Sequence, residues 1–411
     1  MAKKTKTTAK KKKTTSKRKN VSKIPCPECG KKFKHLANHL WEEHEIDPDT
    51  FSGELFHPSL KDVFLSSIEE RIRPTEENLQ IDFGGHGVTV NPDVTAEACL
   101  PGIEYYRVPR YGKLAEDITS SLHGMLFRRH MYIYGMPGSG KDAFIHAFCS
   151  LTRSPSLMFQ IQPGVDIRPW LFTRGFTQEG TEWEEGLLLK AVRDGYKSPH
   201  TGKIYPYRIL ITDFDRADKN QAEILRLLMD STMGRIAGPD GSSYPVLPGT
   251  QIVCTGNTAG SGDTRGRCIS AKPVDASIWD RFERVYKFHW MDWKDEGEVC
   301  KDKFPVLMKY CPKIFKTIGR CVEVIRTDIE ADKLFSELSH RAVCSWLGQA
   351  EDMVVASGKV TETLLKDSLR VILHRQPDDN TALAISRLID PYLKDGVVDT
   401  DVELEEESIQ F

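Results

Sequence analysis

The sequence predicts an α/β fold: a parallel sheet with helices on both faces, a helical lid behind it and a small zinc-binding module in front. Three observations predict it. A strand-like run at 131–134 enters a glycine-rich turn, and a lysine stands at the head of the helical pattern that follows. Downstream, short apolar runs alternate with helical periodicities, the pattern of parallel strands joined by crossover helices. Near the start, two cysteines and two histidines stand at the spacing of a zinc site.

The bulk numbers agree with this. A chain of 411 residues holds two or three domains. Its 39% hydrophobic and 28% charged content belong to a globular protein, not to a fibrous or wholly disordered one. No run of about 18 apolar residues occurs, so no membrane association is expected. The N-terminus lacks the apolar centre of a signal peptide, which points to the cytoplasm or the nucleoid within it. Eight of the ten cysteines are scattered without pairing spacing, as in a reducing compartment.

Residues 1–22 read as a disordered basic arm. Eleven Lys and Arg and no acid fall within residues 1–23, so the formal charge of −2 leaves −13 on the remainder. Lys, Thr and Ser in low complexity cannot bury enough apolar surface to pack. The arm reads as a tether to a polyanion such as DNA, in preference to a solubilising tail.

Residues 23–48 form the zinc module. Cys26, Cys29, His39 and His44 follow C-x2-C-x9-H-x4-H. A thiolate pair on a tight turn and two imidazoles on one helix face can close a tetrahedron on Zn²⁺. Phe33, Leu36 and Leu40 supply a core too small to hold without the metal. His35 is the alternative ligand and otherwise a surface residue. The segment resembles C2H2 fingers of the short-loop Ros/MucR type, which implies DNA contact through Lys31, Lys32, Lys34 and the arm. Such contacts give affinity without sequence reading. Docking on a protein is the other reading.

Residues 49–111 read as a connector broken by Pro58, Pro74, Pro92 and Pro101, with one strand at 83–90. It is expected to end by lining the phosphate pocket near 108–114. Residues 112–292 form the α/β core. In its loop, Gly135, Gly138 and Gly140, with Pro137 and Ser139 between them, let backbone N–H groups turn onto phosphate oxygens. Lys141 adds a point charge, and Asp142 and Ala143 open a helix whose positive end faces the same way. Further strands are expected at 157–161, 208–213, 251–257 and 285–288. Ligands of such sheets bind at the carboxyl ends of the strands, where Asp213 and Asn257 fall. A hairpin with Asp240-Gly241 at its turn and an insertion around 176–183 are also expected. Residues 293–394 carry helical stripes at 304–310, 334–347, 360–374 and 381–393, the lid. The acidic end, 395–411, is expected to fray into solvent.

Four stretches besides the glycine loop resemble one family. They are Thr212-Asp-Phe-Asp, Gly256-Asn-Thr-Ala-Gly-Ser-Gly-Asp-Thr-Arg-Gly, Asp280-Arg-Phe and Leu338-Ser-His-Arg-Ala-Val-Cys-Ser-Trp. Together they are similar to the P-loop AAA+ ATPases of the MoxR/CobS-like branch, to which dynein-related AAA domains are kin. The nearest likeness is to the CobS subunit family of aerobic cobaltochelatase, over roughly half the chain. The resemblance implies an ATPase that binds ATP and Mg²⁺ and remodels a separate protein partner, one with a von Willebrand-type domain in similar systems. It also implies a homo-oligomeric ring, six subunits being the expected number. Lys141 would hold the β- and γ-phosphates, Asp213 would polarise the attacking water and Asn257 would orient it. Arg281 would reach a neighbour's γ-phosphate, and Arg341 would be the second sensor on the lid. The chain departs from the pattern twice. Asp142 stands where a hydroxyl follows the lysine, and Thr212 where the first acid of a pair ends the third strand. The two read as an exchange across the magnesium site, with Asp142 and Asp213 as metal ligands and Thr212 in support. A DNA-associated ATPase and a nucleotide-switched DNA-binding regulator without turnover are the alternatives.

Overall fold

Apolar runs rich in branched and aromatic residues build the centre. β1 (Met131–Gly135), β2 (Ser156–Gln160), β3 (Arg208–Thr212), β4 (Gln251–Gly256) and β5 (Arg284–Phe288) form one sheet in the order β5-β1-β4-β3-β2. Every pairing is parallel. β3 and β4 are buried at each position, as befits strands covered on both faces. The register pairs Gly256 with Tyr134 and Ile211 with Cys254. Asn257 therefore emerges beside Gly135, and Asp213 one strand further on.

The computed structural model describes residues 80–83, 86–177, 180–230, 234–263, 266 and 268–393. It also gives short backbone pairings of Ile24–Pro25 with Lys32–Phe33 and of Val402–Glu403 with Lys359–Val360. Cys26, Cys29, His39 and His44, the basic arm and residues 49–79 of the connector lie outside the described residues. Contacts divide the chain into Met1–Thr75 and Glu76–Phe411, and the sheet and the lid belong to the second unit.

Helices cover both faces of the sheet. On one, α3 (Leu187–Asp194), α4 (Lys219–Met229) and the short α5 (Ala276–Trp279) pack Leu188, Leu225 and Ile278 with Tyr132, Ile209 and Ile252. α4 starts at a capping box, in which Asp218 and Gln221 each bond the other's backbone N–H at 2.9 Å. On the other face lie α1 (Gly112–Leu126) and α2 (Lys141–Leu151), whose Phe144 meets Phe83 and Phe288 edge-on. The single strand expected at 83–90 is in fact an antiparallel pair, Gln80–Phe83 with His86–Thr89. Ile81 and Phe83 of the first strand and Val88 of the second are buried, so a single apolar signal spans the turn between them.

The expected hairpin at Asp240-Gly241 is present, and the insertion expected around 176–183 is a second one. Phe172–Thr177 pairs with Gly180–Glu185, and Arg235–Ala237 with Ser243–Pro245 around Gly241 at φ +82°. The rings of Phe172 and Tyr244, one from each hairpin, lie 5.5 Å apart.

The lid is a second, all-helical core: α6 (Trp293–Lys303), α7 (Pro305–Tyr310), α8 (Lys313–Glu330), α9 (His340–Ser357), α10 (Leu364–Ser368), α11 (Arg370–Leu373) and α12 (Asp379–Leu393). Trp346 is fully buried at its centre against Ile318, Leu347 and Ile385. Two expectations shift here. The helix expected over 334–347 begins only at His340, because Ser339 caps it by accepting from the Ala342 N–H at 3.2 Å, and it runs on to Ser357 before Gly358 turns left-handed. The stripe at 360–374 is two short helices, α10 and α11. α8 is not singled out by sequence, although Ile314, Ile318, Val322, Ile325 and Ile329 keep helical spacing. The acidic end is not wholly frayed, since Val402–Glu403 adds a two-residue strand to the lid.

Candidate functional site

The glycine loop joins β1 to α2, and its three glycines are required for different reasons. Gly138 and Gly140 adopt φ +71° and +84°, where a side chain is strained. Gly135 is needed for space, since a Cβ there would lie 2.2 Å from the Phe288 carbonyl oxygen on β5. A Cβ on Gly138 would also meet Cβ of Ser339 at 2.5 Å, so the head of α9 abuts the loop. Around Gly140 nothing lies within 4 Å of that position, and the loop is open there.

Lys141 is buried beneath this loop. Its Nζ donates to the carbonyls of Gly135 and Met136 at 2.8 and 3.2 Å and to Oδ1 of Asn257 at 3.3 Å. Burial lowers the lysine's pKa, while Asp142, Asp215 and Asp213 pull it back up. The next residue, Asp142, accepts from the Thr255 hydroxyl at 2.8 Å. That hydroxyl, on β4, had not been picked out by sequence; Thr212 is buried at the end of β3, where its carbonyl accepts from the Ile161 N–H at 3.0 Å.

Asp213 follows β3 at φ +56°, a strained conformation for a residue with a side chain. Its carboxylate accepts from Gln160 Nε2 at 2.9 Å and lies 3.6 Å from Arg216 Nε. Asp215, also missed by sequence, is the buried clamp of the site. Its Oδ2 accepts from the backbone N–H groups of Asn257 and Thr258 at 2.7 and 3.0 Å and so fixes where Asn257 points. Among the described residues, Asp215 Oδ1 and the hydroxyl of Ser139 are buried without a hydrogen-bond partner. A cavity of about 480 Å³ opens beside the loop, lined by Pro137, Asn257 and Arg216 from the core side and Glu337 from the lid, with 268–270 between. None of residues 108–114 lines it, contrary to expectation. That segment ties to the lid instead: the N–H groups of Arg110 and Tyr111 donate to Asp295 at 2.7 and 2.8 Å.

The structure thus brings Lys141 into contact with Asn257, with Asp142 next in the chain and bonded to Thr255, while the Asp213 charge also acts on Lys141. It keeps Arg281 out of the cavity lining. Arg281 bonds Asp230 at 3.2 Å and the Ser277 carbonyl, and its Nε is buried without a partner among the described residues. Arg341 is exposed on the first turn of α9, next to the residues that abut Gly138. Ala143 lies in the first turn of α2. This donor set fits a phosphate chain carrying a divalent cation: left-handed glycines with an open side, a buried ammonium, oxygens from Asp142 and Asp213, and unmet atoms on Asp215 and Ser139.

No protein-family model matches the chain, and no curated protein matches it. Solved structures with a similar trace include a candidate ATPase of Cytophaga hutchinsonii, 16% identical with a TM-score of 0.31, covering 69% of this chain and 88% of that one. They also include the Thermotoga maritima RuvB Holliday junction branch migration motor, 13% identical with a TM-score of 0.37, covering 65% and 69%. A single-substitution variant of that RuvB is 12% identical with a TM-score of 0.39, covering 72% and 91%.

Proposed function

We propose that this chain is an ATP-hydrolysing motor of the AAA+ type, of the MoxR/CobS-like branch, which works as a ring on a separate protein partner. The observation that carries the proposal is the contact of Lys141 with Asn257 across the mouth of the glycine loop. It joins a phosphate-binding cation to an amide at the end of a neighbouring strand, where a hydrolytic water has to be oriented. In this reading the loop N–H groups and Lys141 bind the β- and γ-phosphates. Asn257, fixed from behind by Asp215, orients the water, and Asp213 takes up its developing proton. Asp142, steadied by Thr255, and Asp213 would hold Mg²⁺, which when bound neutralises charge on the outer phosphates. An aspartate in place of a hydroxyl repels phosphate in the absence of the cation, so nucleotide binding should demand Mg²⁺. Arg281 serves the neighbouring subunit's site and Arg341 the lid. We read Cys26, Cys29, His39 and His44 as ligands of a zinc ion at the front, on their spacing.

Phosphate release by the full chain tests this. The wild type should hydrolyse ATP with Mg²⁺ and not with a chelator, and Lys141→Ala should lose at least about 10²-fold. Equal turnover in the two proteins would overturn the proposal. A second reading, a DNA-associated ATPase, is favoured by the eleven Lys and Arg of residues 1–23. It requires hydrolysis to rise on adding DNA, and more so at low salt. Nucleotide binding with no turnover in any condition would leave a switch rather than a motor.

A further inference from the structure

The lid holds a second group of chemistry-bearing residues that the nucleotide site does not use. α6 places Glu296 and Cys300 one helical turn apart, and α9 does the same with His340 and Cys344. The sulfurs of Cys300 and Cys344 and a ring nitrogen of His340 all lie within 4.8 Å of one another. Nε2 of His340 is 3.3 Å from Sγ of Cys344. The other ring nitrogen, Nδ1, stands 2.9 Å from Oε1 of Glu296. Glu296 is completely buried and bonds the Arg326 guanidinium through both oxygens, one at 3.0 Å. Arg326 also donates to the carbonyls of Leu338 and Met291 at 3.0 and 3.2 Å, so neither partner can swing away. A carboxylate in this setting accepts and does not donate. Nδ1 therefore donates to Glu296, and Nε2 faces the Cys344 sulfur, where loss of any proton it holds leaves a lone pair for a metal.

We propose that Cys300, Cys344 and Nε2 of His340 bind a zinc ion that staples α6 to α9. Two sulfurs and an imidazole are soft and borderline donors that suit zinc and reject magnesium and calcium. Zinc bond lengths of about 2.3 Å to sulfur and 2.0–2.1 Å to nitrogen set tetrahedral ligands roughly 3.5–3.8 Å apart, which sub-ångström shifts of these three atoms reach. The carboxylate behind the imidazole orients the ligand and raises its basicity, as it does at resident zinc sites. The His340 side chain keeps 32% of its surface exposed, so a water can take the fourth position. The ion would hold the end of α9 whose Ser339 and His340 abut Gly138, fixing the face that the lid turns to the glycine loop.

Metal analysis of the full chain tests the proposal, in a variant without front-module ligands (Cys26→Ser with Cys29→Ser) so that the two zinc sites are told apart. That variant should retain one equivalent of zinc per chain. Adding Cys344→Ser or His340→Ala should remove it. Replacing zinc by cobalt in the front-module variant should give the thiolate-to-metal absorption of a two-sulfur site, a readout that needs no lid substitution. The proposal fails if the front-module variant binds neither zinc nor cobalt. It also fails if the lid substitutions, in chains that still melt cooperatively, leave the metal content unchanged, or if freshly isolated metal-free chain carries a Cys300–Cys344 disulfide.

Discussion

Two buried polar clusters meet where Gly138 touches Ser339, and they are built on opposite rules. On the sheet side, Asn257 bonds Lys141 and Asp215, and Asp142 bonds Thr255, yet among the described residues Asp215 Oδ1 and the Ser139 hydroxyl are unmet. On the lid side, Glu296 accepts from Arg326 through both oxygens and from His340, with no polar atom of the three orphaned. Burial pushes the Glu296 pKa up, but Arg326 and His340 more than offset this and hold it below its ordinary value. A buried polar atom without a partner costs about 1–3 kcal/mol. Two polar atoms of the sheet side thus remain for water or a ligand to meet, while the carboxylate–guanidinium pair of the lid is complete in itself. The first cluster should govern activity and the second stability.

The largest test of that division is Arg281→Ala, which removes a group that the proposed function sends to a neighbouring subunit. Hydrolysis should fall by roughly 10³-fold or more with nucleotide binding unchanged in a filter or fluorescence assay. Mixing with Lys141→Ala chains should restore part of the rate; no restoration would place Arg281 outside the shared site. Next comes Glu296→Ala, which strands the Arg326 charge and should lower the unfolding free energy in urea by about 3–5 kcal/mol. A loss below 1 kcal/mol there would break the comparison from the lid side. Saturating Mg²⁺–nucleotide, at a hundred times its Kd, should raise stability by about 2.7 kcal/mol in a thermal shift. The same shift without Mg²⁺ would argue against cation-dependent binding at Asp142.

Smaller effects sharpen the sheet side. Asp142→Ser should lower Mg²⁺-dependent hydrolysis by about tenfold, the size of one charge-assisted hydrogen bond, and adding Thr212→Asp should recover it. If each single substitution raises turnover by itself, the exchange reading is wrong. The smallest effect concerns His130, just before β1. Burial lowers its pKa and outweighs the pull of Glu283, and its Nδ1 accepts from the Ile252 N–H at 3.1 Å. A histidine kept neutral in the fold contributes stability above its unfolded value of 6.5, and that contribution is lost as the pH falls further. His130→Gln should flatten the acid limb of a stability-versus-pH curve, and an unchanged limb would assign it to other groups.

The sheet, the glycine loop and the hairpin at Asp240-Gly241 were legible because each is a local signal: an apolar run, a turn glycine, a lysine at a helix start. Lys141 and Asn257 could be paired in advance only through their resemblance to a family, since 116 residues separate them. Asp215 and Thr255 were not legible. Their roles come from contacts with backbone or side chains of other elements, which no spacing reports. Cys300 and Cys344 read as scattered thiols for the same reason, because only the packing of α6 on α9 brings them together. The boundary of α9 was missed because Leu334 and Leu338 are buried like helix residues, although the chain there is irregular and Ser339 starts the helix.

The ring contact between Phe172 and Tyr244 makes one tool of two projections. Arg193 of α3 places its guanidinium 5.7 Å from the Tyr244 ring, so α3 is fastened to the same point. An aromatic pair adds roughly 0.5–1.5 kcal/mol beyond the area it hides. Displacing one projection must therefore shift the other or first part those rings, and either displacement is felt at α3.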